Sequence, residues 1–162
     1  MPAPMPHLLV TNDDGVQAPG LLALAQALRP LGQVTVLAPE RNWSASGHVK
    51  TLHKPLRVRA CQLADGSPAL ACTGAPSDAV ALALLGLLEQ PVDLVVSGIN
   101  PHCNLGHDVT YSGTVTAAME ACIFGLPALA VSTEHDPALG YGVAAAEAAA
   151  LAAWVLRQGL PR

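Results

Sequence analysis

Two short runs, Leu8-Leu9-Val10 and Leu94-Val95-Val96, constrain this chain more than any other feature, because they are apolar at every position rather than at every second one. Successive side chains of a strand point to opposite faces, so an uninterrupted apolar strand needs cover on both. Such strands belong inside a sheet flanked by helices. Apolar runs at 7–11, 34–38, 94–97 and 128–132 alternate with runs at 21–28, 79–88, 115–124 and 143–156. That alternation reads as βαβ units, and a parallel, doubly wound α/β sheet is the simplest architecture. Between Lys54 and Thr73 the pattern changes to Leu56, Val58 and an apolar return at Ala69–Ala71 around Asp65-Gly66. It predicts a β-hairpin inserted in the layered core. The alanine-rich stretch from Val143 to Ala153 predicts a helix.

At 162 residues and 51% hydrophobic content, the chain fits one domain over 1–162 with enough interior for a core. Only 12% of its residues are charged, about half the usual share, which predicts apolar surface buried in an oligomer. A net charge of −4 with only Lys50 and Lys54 as lysines argues against a nucleic-acid polymer as partner. No apolar run reaches the roughly 18 residues of a membrane span. The four cysteines form no CxxC pair, and the N-terminus has no basic-then-apolar leader, which points to a reduced, cytoplasmic setting. Cys61, Cys72 and Cys122 read as small buried hydrophobes.

Ligands of such sheets gather beyond the carboxyl ends of the strands. Polar loops at 12–15, 39–48 and 98–113 fall there. Asp13 and Asp14 follow the first strand directly, and like charges this close repel unless a cation or a shared proton relieves them. Gly15 allows the turn that lets both converge. A capping or turn pair ahead of Pro19 would give the same string. Asn100 leaves the Leu94–Ser97 strand toward the same crevice, and two aspartates, an amide oxygen and a hydroxyl make a hard, oxygen-rich site for Mg²⁺, Mn²⁺ or Ca²⁺. Ser112-Gly113-Thr114 opens a helix, where free N–H groups and the helix dipole bind phosphate. Ser112 as an ordinary N-cap is the competing account. On this reading Gly113→Val blocks phosphate and leaves the metal ligands untouched.

Other chemistries fit less well. A zinc site from His102, Cys103 and His107, with or without His48, has the wrong spacing for a closed tetrahedral set. A receiver domain needs a lysine late in the chain, and none follows Lys54. A dinucleotide-binding fold needs GxGxxG after the first strand, where this chain has Asn12-Asp13-Asp14-Gly15. His7, His53 and His135 read as structural or solvent-facing.

The strings TNDDG, APERNWSASGH, SGIN, NLGHDVTYSGTV, AAMEA and FGLPALAVS, in this order across residues 7–133, resemble those of the SurE survival protein family of 5′-nucleotidases. The resemblance implies a Rossmann-like fold, one divalent cation per subunit, Mg²⁺ or Mn²⁺, and hydrolysis of nucleoside 5′-monophosphates, in some members also of 3′-monophosphates and polyphosphate. Carried over, the metal ligands are Asp13, Asp14, Ser44 and Asn100; Asp13 or Asp14 is the catalytic candidate to take the proton of the attacking water, with His107 a weaker one. Asn104, Ser112, Gly113 and Thr114 match the segment around the phosphate. The family also implies a homodimer or homotetramer. His102 stands where the family commonly has glycine, Pro101 replaces a more flexible residue, and Ala75 stands in place of threonine. Family members continue with a hairpin and a C-terminal segment beyond the point where this sequence stops, so a metal- and phosphate-binding fragment with little turnover is the alternative reading.

Overall fold

The computed structural model describes residues 5–134, 136, 138 and 140–160; His135 lies outside them. Six strands form one sheet in the order β3-β4-β2-β1-β5-β6. They are β1 (His7–Thr11), β2 (Gln33–Pro39), β3 (Val58–Gln62), β4 (Pro68–Cys72), β5 (Leu94–Asn100) and β6 (Ala128–Ser132). All neighbours are parallel except β3 and β4. The helices are α1 (Pro19–Leu28), α2 (Pro76–Leu82), α3 (Asp108–Tyr111), α4 (Gly113–Ile123) and α5 (Gly142–Gln158).

The uninterrupted apolar strands have the double cover their pattern demands. Leu8, Val10, Leu94 and Val96 pack with Leu21, Leu24 and Leu28 of α1 and Ala148 and Ala152 of α5. Leu9 and Val95 turn the other way, into a second cluster with Val80 of α2 and Ala117 and Ala121 of α4. Burying a leucine or valine on either face contributes about 2 kcal/mol. His7 is structural: its backbone N–H donates to Asp93 Oδ2, and its ring lies 2.8 Å from Thr35 Oγ1 and 3.1 Å from the Pro91 carbonyl.

The predicted hairpin is β3–β4, paired from Val58↔Cys72 to Gln62↔Pro68 and closed by Gly66 at φ +80°. It continues the main sheet rather than interrupting it, because β4 pairs in parallel with β2 at Leu37↔Leu70. Arg29 at the end of α1 ties down the turn through Asp65 (2.7 Å) and Ser67 (2.6 Å). Cysteine burial differs from expectation: Cys72 is buried and Cys61 partly so, while Cys122 is exposed, lining an open cavity between α4 and β6. Among the described residues no helix is long and apolar enough to cross a membrane.

The chain builds outward from β1 through β2 to the hairpin, then crosses back to β5 and β6. The strand order therefore reverses between β1 and β5, and the crevice at their carboxyl ends is where loops separate and ligands fit.

Candidate metal and phosphate site

The turn after β1 is set by Asn12, which is wholly buried; its amide donates to the Gly15 carbonyl and its Oδ1 accepts the Gly15 N–H. Gly15 has φ +107°, a backbone state that L side chains rarely adopt. This turn presents Asp13 and Asp14 at the reversal point. Asp13 is 3% exposed, and its Oδ1 accepts the Thr114 hydroxyl at 2.5 Å. Asp14 is half-buried, and its carboxyl is pushed up to about 6 by burial first and by the Asp13 charge second, with His102 pulling the other way. Burial in low dielectric and a neighbouring like charge both favour the protonated form.

The second element is the loop after β2. The Trp43 N–H donates to the Asp13 carbonyl at 2.7 Å, and the Asn42 amide lies 3.4 Å from Asp14 Oδ1. Asn42 Oδ1 accepts the Ser44 N–H at 2.7 Å, so Ser44, solvent-exposed, follows a segment fixed to both acids. Beyond it the Gly47 N–H donates to the Tyr111 carbonyl, and the Gly47 carbonyl accepts the Thr116 hydroxyl. Then Glu120, 4% exposed on α4, accepts His48 Nε2 at 2.7 Å and Lys50 Nζ at 2.5 Å. The loop is thus a clip between β1 and α4, with Ser44 in the span and Ala45 held at φ +58°. Such strain in a non-glycine residue clusters at functional sites.

Asn100 ends β5 after an irregularity in the β5–β6 register between Ser97 and Asn100. A bulge of this kind re-aims the side chain that follows it. The Asn100 amide nitrogen donates to the His102 carbonyl at 2.6 Å, which leaves Oδ1 as the atom available to a ligand. Gly20 lets α1 meet this strand end, since a Cβ there would lie 2.3 Å from the Ile99 carbonyl oxygen. Tyr141 packs against the same glycine, and its phenol is raised by burial and by Asp14.

At the start of α4, Ser112 is the N-cap, accepting the Val115 N–H at 3.2 Å. The capping account is therefore correct for its hydroxyl. Asn104 donates to Ser132 Oγ at 2.7 Å. Two expectations need correction. Thr114 is fully buried with its hydroxyl on Asp13, so it orients the acid rather than lining open space for phosphate. Gly113 lies directly against the acid: a Cβ would stand 2.6 Å from Asp13 Cβ and 2.9 Å from Oδ2. A side chain at 113 would therefore displace Asp13, and the metal and phosphate halves of the site are not separable at this position.

The donor set fits a hard cation. Two carboxylates, an amide oxygen and a hydroxyl suit Mg²⁺ or Mn²⁺ and not a soft metal. Thr11 and Ser97, register partners in β1 and β5 one and three residues before Asn12 and Asn100, bury hydroxyls with no partner among the described residues. Buried hydroxyls without a partner at this edge are compatible with a polar occupant, which would supply one. The zinc reading finds no support: His48 is bound to Glu120, and among the described residues no group of three His, Cys, Asp or Glu could hold a metal.

Sequence reasoning missed three residues here. Glu120 stood only inside the AAMEA string with no role assigned, Tyr141 carried no local signal, and His102, noted as a departure, acts electrostatically on Asp14.

Comparison with known proteins agrees with this fold. The family model described as "Survival protein SurE" matches residues 8–161. The 5′-nucleotidase SurE of Herpetosiphon aurantiacus is 57% identical over 157 residues, covering 96% of this chain and 62% of that protein. The 5′-nucleotidase SurE of Geobacter sulfurreducens is 53% identical over 96% of this chain and 58% of its own length. The crystal structure of the SurE protein from Aquifex aeolicus superimposes with a TM-score of 0.85 at 41% identity, over 96% of this chain and 62% of that one. The chain thus spans about three-fifths of the length of these relatives. A family-model match over nearly the whole chain, joined to this fold and this carboxylate corner, shows that the chain belongs to the SurE survival protein family.

Proposed function

We propose that the crevice between β1 and β5 hydrolyses nucleoside 5′-monophosphates to nucleoside and phosphate, with one divalent cation, Mg²⁺ or Mn²⁺, held by Asp13, Asp14, Ser44 and Asn100. The observation that carries this reading is the acid pair at the strand reversal, one member buried and locked by Thr114 and the other half-buried beside it. The name 5′-nucleotidase carried by the relatives supports the substrate class. A cation held there supplies charge neutralisation to the phosphoryl group.

The protein's own groups do the rest. Backbone N–H groups at the start of α4, opened by Gly113, and the Asn104 amide hold the phosphate oxygens against the helix dipole. Asp13, with Oδ1 committed to Thr114, keeps a fixed orientation. Asp14, the more exposed acid, takes the proton of the attacking water. Positioning and electrostatics, rather than a covalent intermediate, carry the rate. Nucleoside 3′-monophosphates and polyphosphate are further substrates of the same crevice, the assembly is a homodimer or homotetramer, and the setting is cytoplasmic.

The test is phosphate release from a panel of nucleotides with Mn²⁺, with Mg²⁺ and with a chelator. Release from 5′-monophosphates that stops on chelation is the expected result. Metal and phosphate binding without release from any nucleotide would favour the binding fragment.

A further inference from the structure

Cations are scarce in this chain, with eight Lys and Arg against a net charge of −4. Arg29, Lys50 and Arg59 face carboxylates, those of Asp65, Glu120 and Glu40. Arg41, Lys54 and Arg57 make no ion pair among the described residues, yet all three line one cavity of about 260 Å³ together with Glu40, Pro55 and Thr73. Three unpaired cations against one carboxylate invert the sign of the protein at this point.

The backbones that carry these groups are fixed. Arg57 N–H donates to Thr73 Oγ1 and Thr73 N–H donates to the Arg57 carbonyl, both at 3.0 Å. The Thr73 hydroxyl, used there as an acceptor, keeps its own proton to donate. Glu40 N–H donates to the Cys72 carbonyl at 2.8 Å. Arg41 is held with its guanidinium 5.0 Å from the centre of the Trp43 ring, and its backbone stands 3.4 Å from the Cβ position of Gly15. The cavity sits where β2 and β4 end, on the same sheet edge as the acid pair. Arg41 directly precedes Asn42, whose amide reaches Asp14. The end of β4 is two strand spacings from that of β1, about 10 Å, a gap that long basic side chains narrow.

We propose that this cavity is an anion subsite that takes a phosphate group, namely the second phosphate of a nucleotide whose first phosphate lies at the Asp13–Asp14 corner. Guanidinium groups match phosphate oxygens in pairs, and the free hydroxyl of Thr73 adds a donor. The anion site stands on the cavity and its cations alone; its assignment to a substrate's second phosphate rests on the nucleotidase reading.

The experiment uses the full chain and the double variant Arg57→Ala/Lys54→Ala, whose changes fall on exposed side chains. Inorganic phosphate is titrated calorimetrically at low ionic strength with chelator present, so that the acid corner repels it. The parent is expected to bind, less tightly as salt is added, and the double variant at least tenfold more weakly. Equal affinity, or no binding by the parent, overturns the site. Hydrolysis with Mn²⁺ then identifies the source of the phosphate. The Michaelis constant for a nucleoside 3′,5′-bisphosphate should rise about tenfold in the variant, a loss of about 1.4 kcal/mol, while that for the 5′-monophosphate stays unchanged. Lost phosphate binding with an unchanged bisphosphate constant assigns the site to free phosphate and overturns the substrate part. If neither protein hydrolyses any nucleotide, the nucleotidase reading fails while the phosphate titration still decides the site.

Discussion

The crevice between β1 and β5 and the outer flank formed by β6 and the outward side of α4 lie on one sheet, yet they are built on opposite terms. In the crevice the residues that set the acid pair and the loop beside it are committed: Asp13 to Thr114 and Trp43, Asn12 to Gly15, Glu120 to His48 and Lys50. Gly20, Gly98 and Gly113 meet atoms that leave no room for a side chain. On the flank, Met119 is 48% exposed and Ile123 70%, beside a cavity of about 540 Å³ lined by Val115, Ala118, Met119, Cys122, Ile123, Ala128 and Ala130. The difference teaches where this chain tolerates change: a carbon added at Gly113 displaces a carboxylate, whereas the flank cavity has space and an apolar lining.

That contrast breaks first, if it breaks at all, at Gly113. Gly113→Val puts carbon into Asp13 and should destabilise the fold by about 3 kcal/mol while also abolishing Mn²⁺ binding. Thermal melts with and without Mn²⁺ check this; a variant that still gains stability from Mn²⁺ shows that Asp13 has room to move.

Glu120→Ala comes next. It removes the carboxylate between His48 and Lys50 and should cost about 2 kcal/mol, less than the full cost of breaking a buried pair because Lys50 is 33% exposed. Because the loop from Trp43 to Lys50 also carries Ser44, Mn²⁺ affinity should weaken with it. Unchanged affinity in calorimetry separates the clip from the metal site.

Asp14→Ala has a smaller effect, of opposite sign. A carboxyl raised in the folded state is penalised once it ionises, so the metal-free parent should lose stability as pH rises from about 4 to about 6 and then level off. The variant should lack that slope and be about 1 kcal/mol more stable near pH 7, after discounting for the exposure of the group. A metal-free melting temperature lower than the parent's would return Asp14 to a structural role. Smallest of all is Ile123→Gln on the flank, expected within about 0.5 kcal/mol of the parent because the side chain is already in water.

The sheet was legible in the sequence because strands covered on both faces leave an unbroken apolar run, which no surface element mimics. The hairpin was legible through Asp65-Gly66, but not its place at the sheet's end, since pairing of β4 with β2 depends on residues some thirty positions apart. Asp13, Asp14 and Asn100 were legible because polar residues directly after apolar strands fall at the carboxyl edge. Glu120 was not: its partners His48 and Lys50 lie 72 and 70 residues away. Gly113 and Thr114 were read as parts of a helix start, and only the packing of α4 against β1 shows that both touch Asp13.

The central claim, that the crevice acids hold one divalent cation, is tested most directly by calorimetric titration of Mn²⁺ into the parent and into Asp14→Asn, which keeps the side chain's size and removes its charge. One site per chain in the parent, weakened at least tenfold in the variant, is the predicted result. Equal affinity in the two proteins, or no saturable site in the parent, would contradict it.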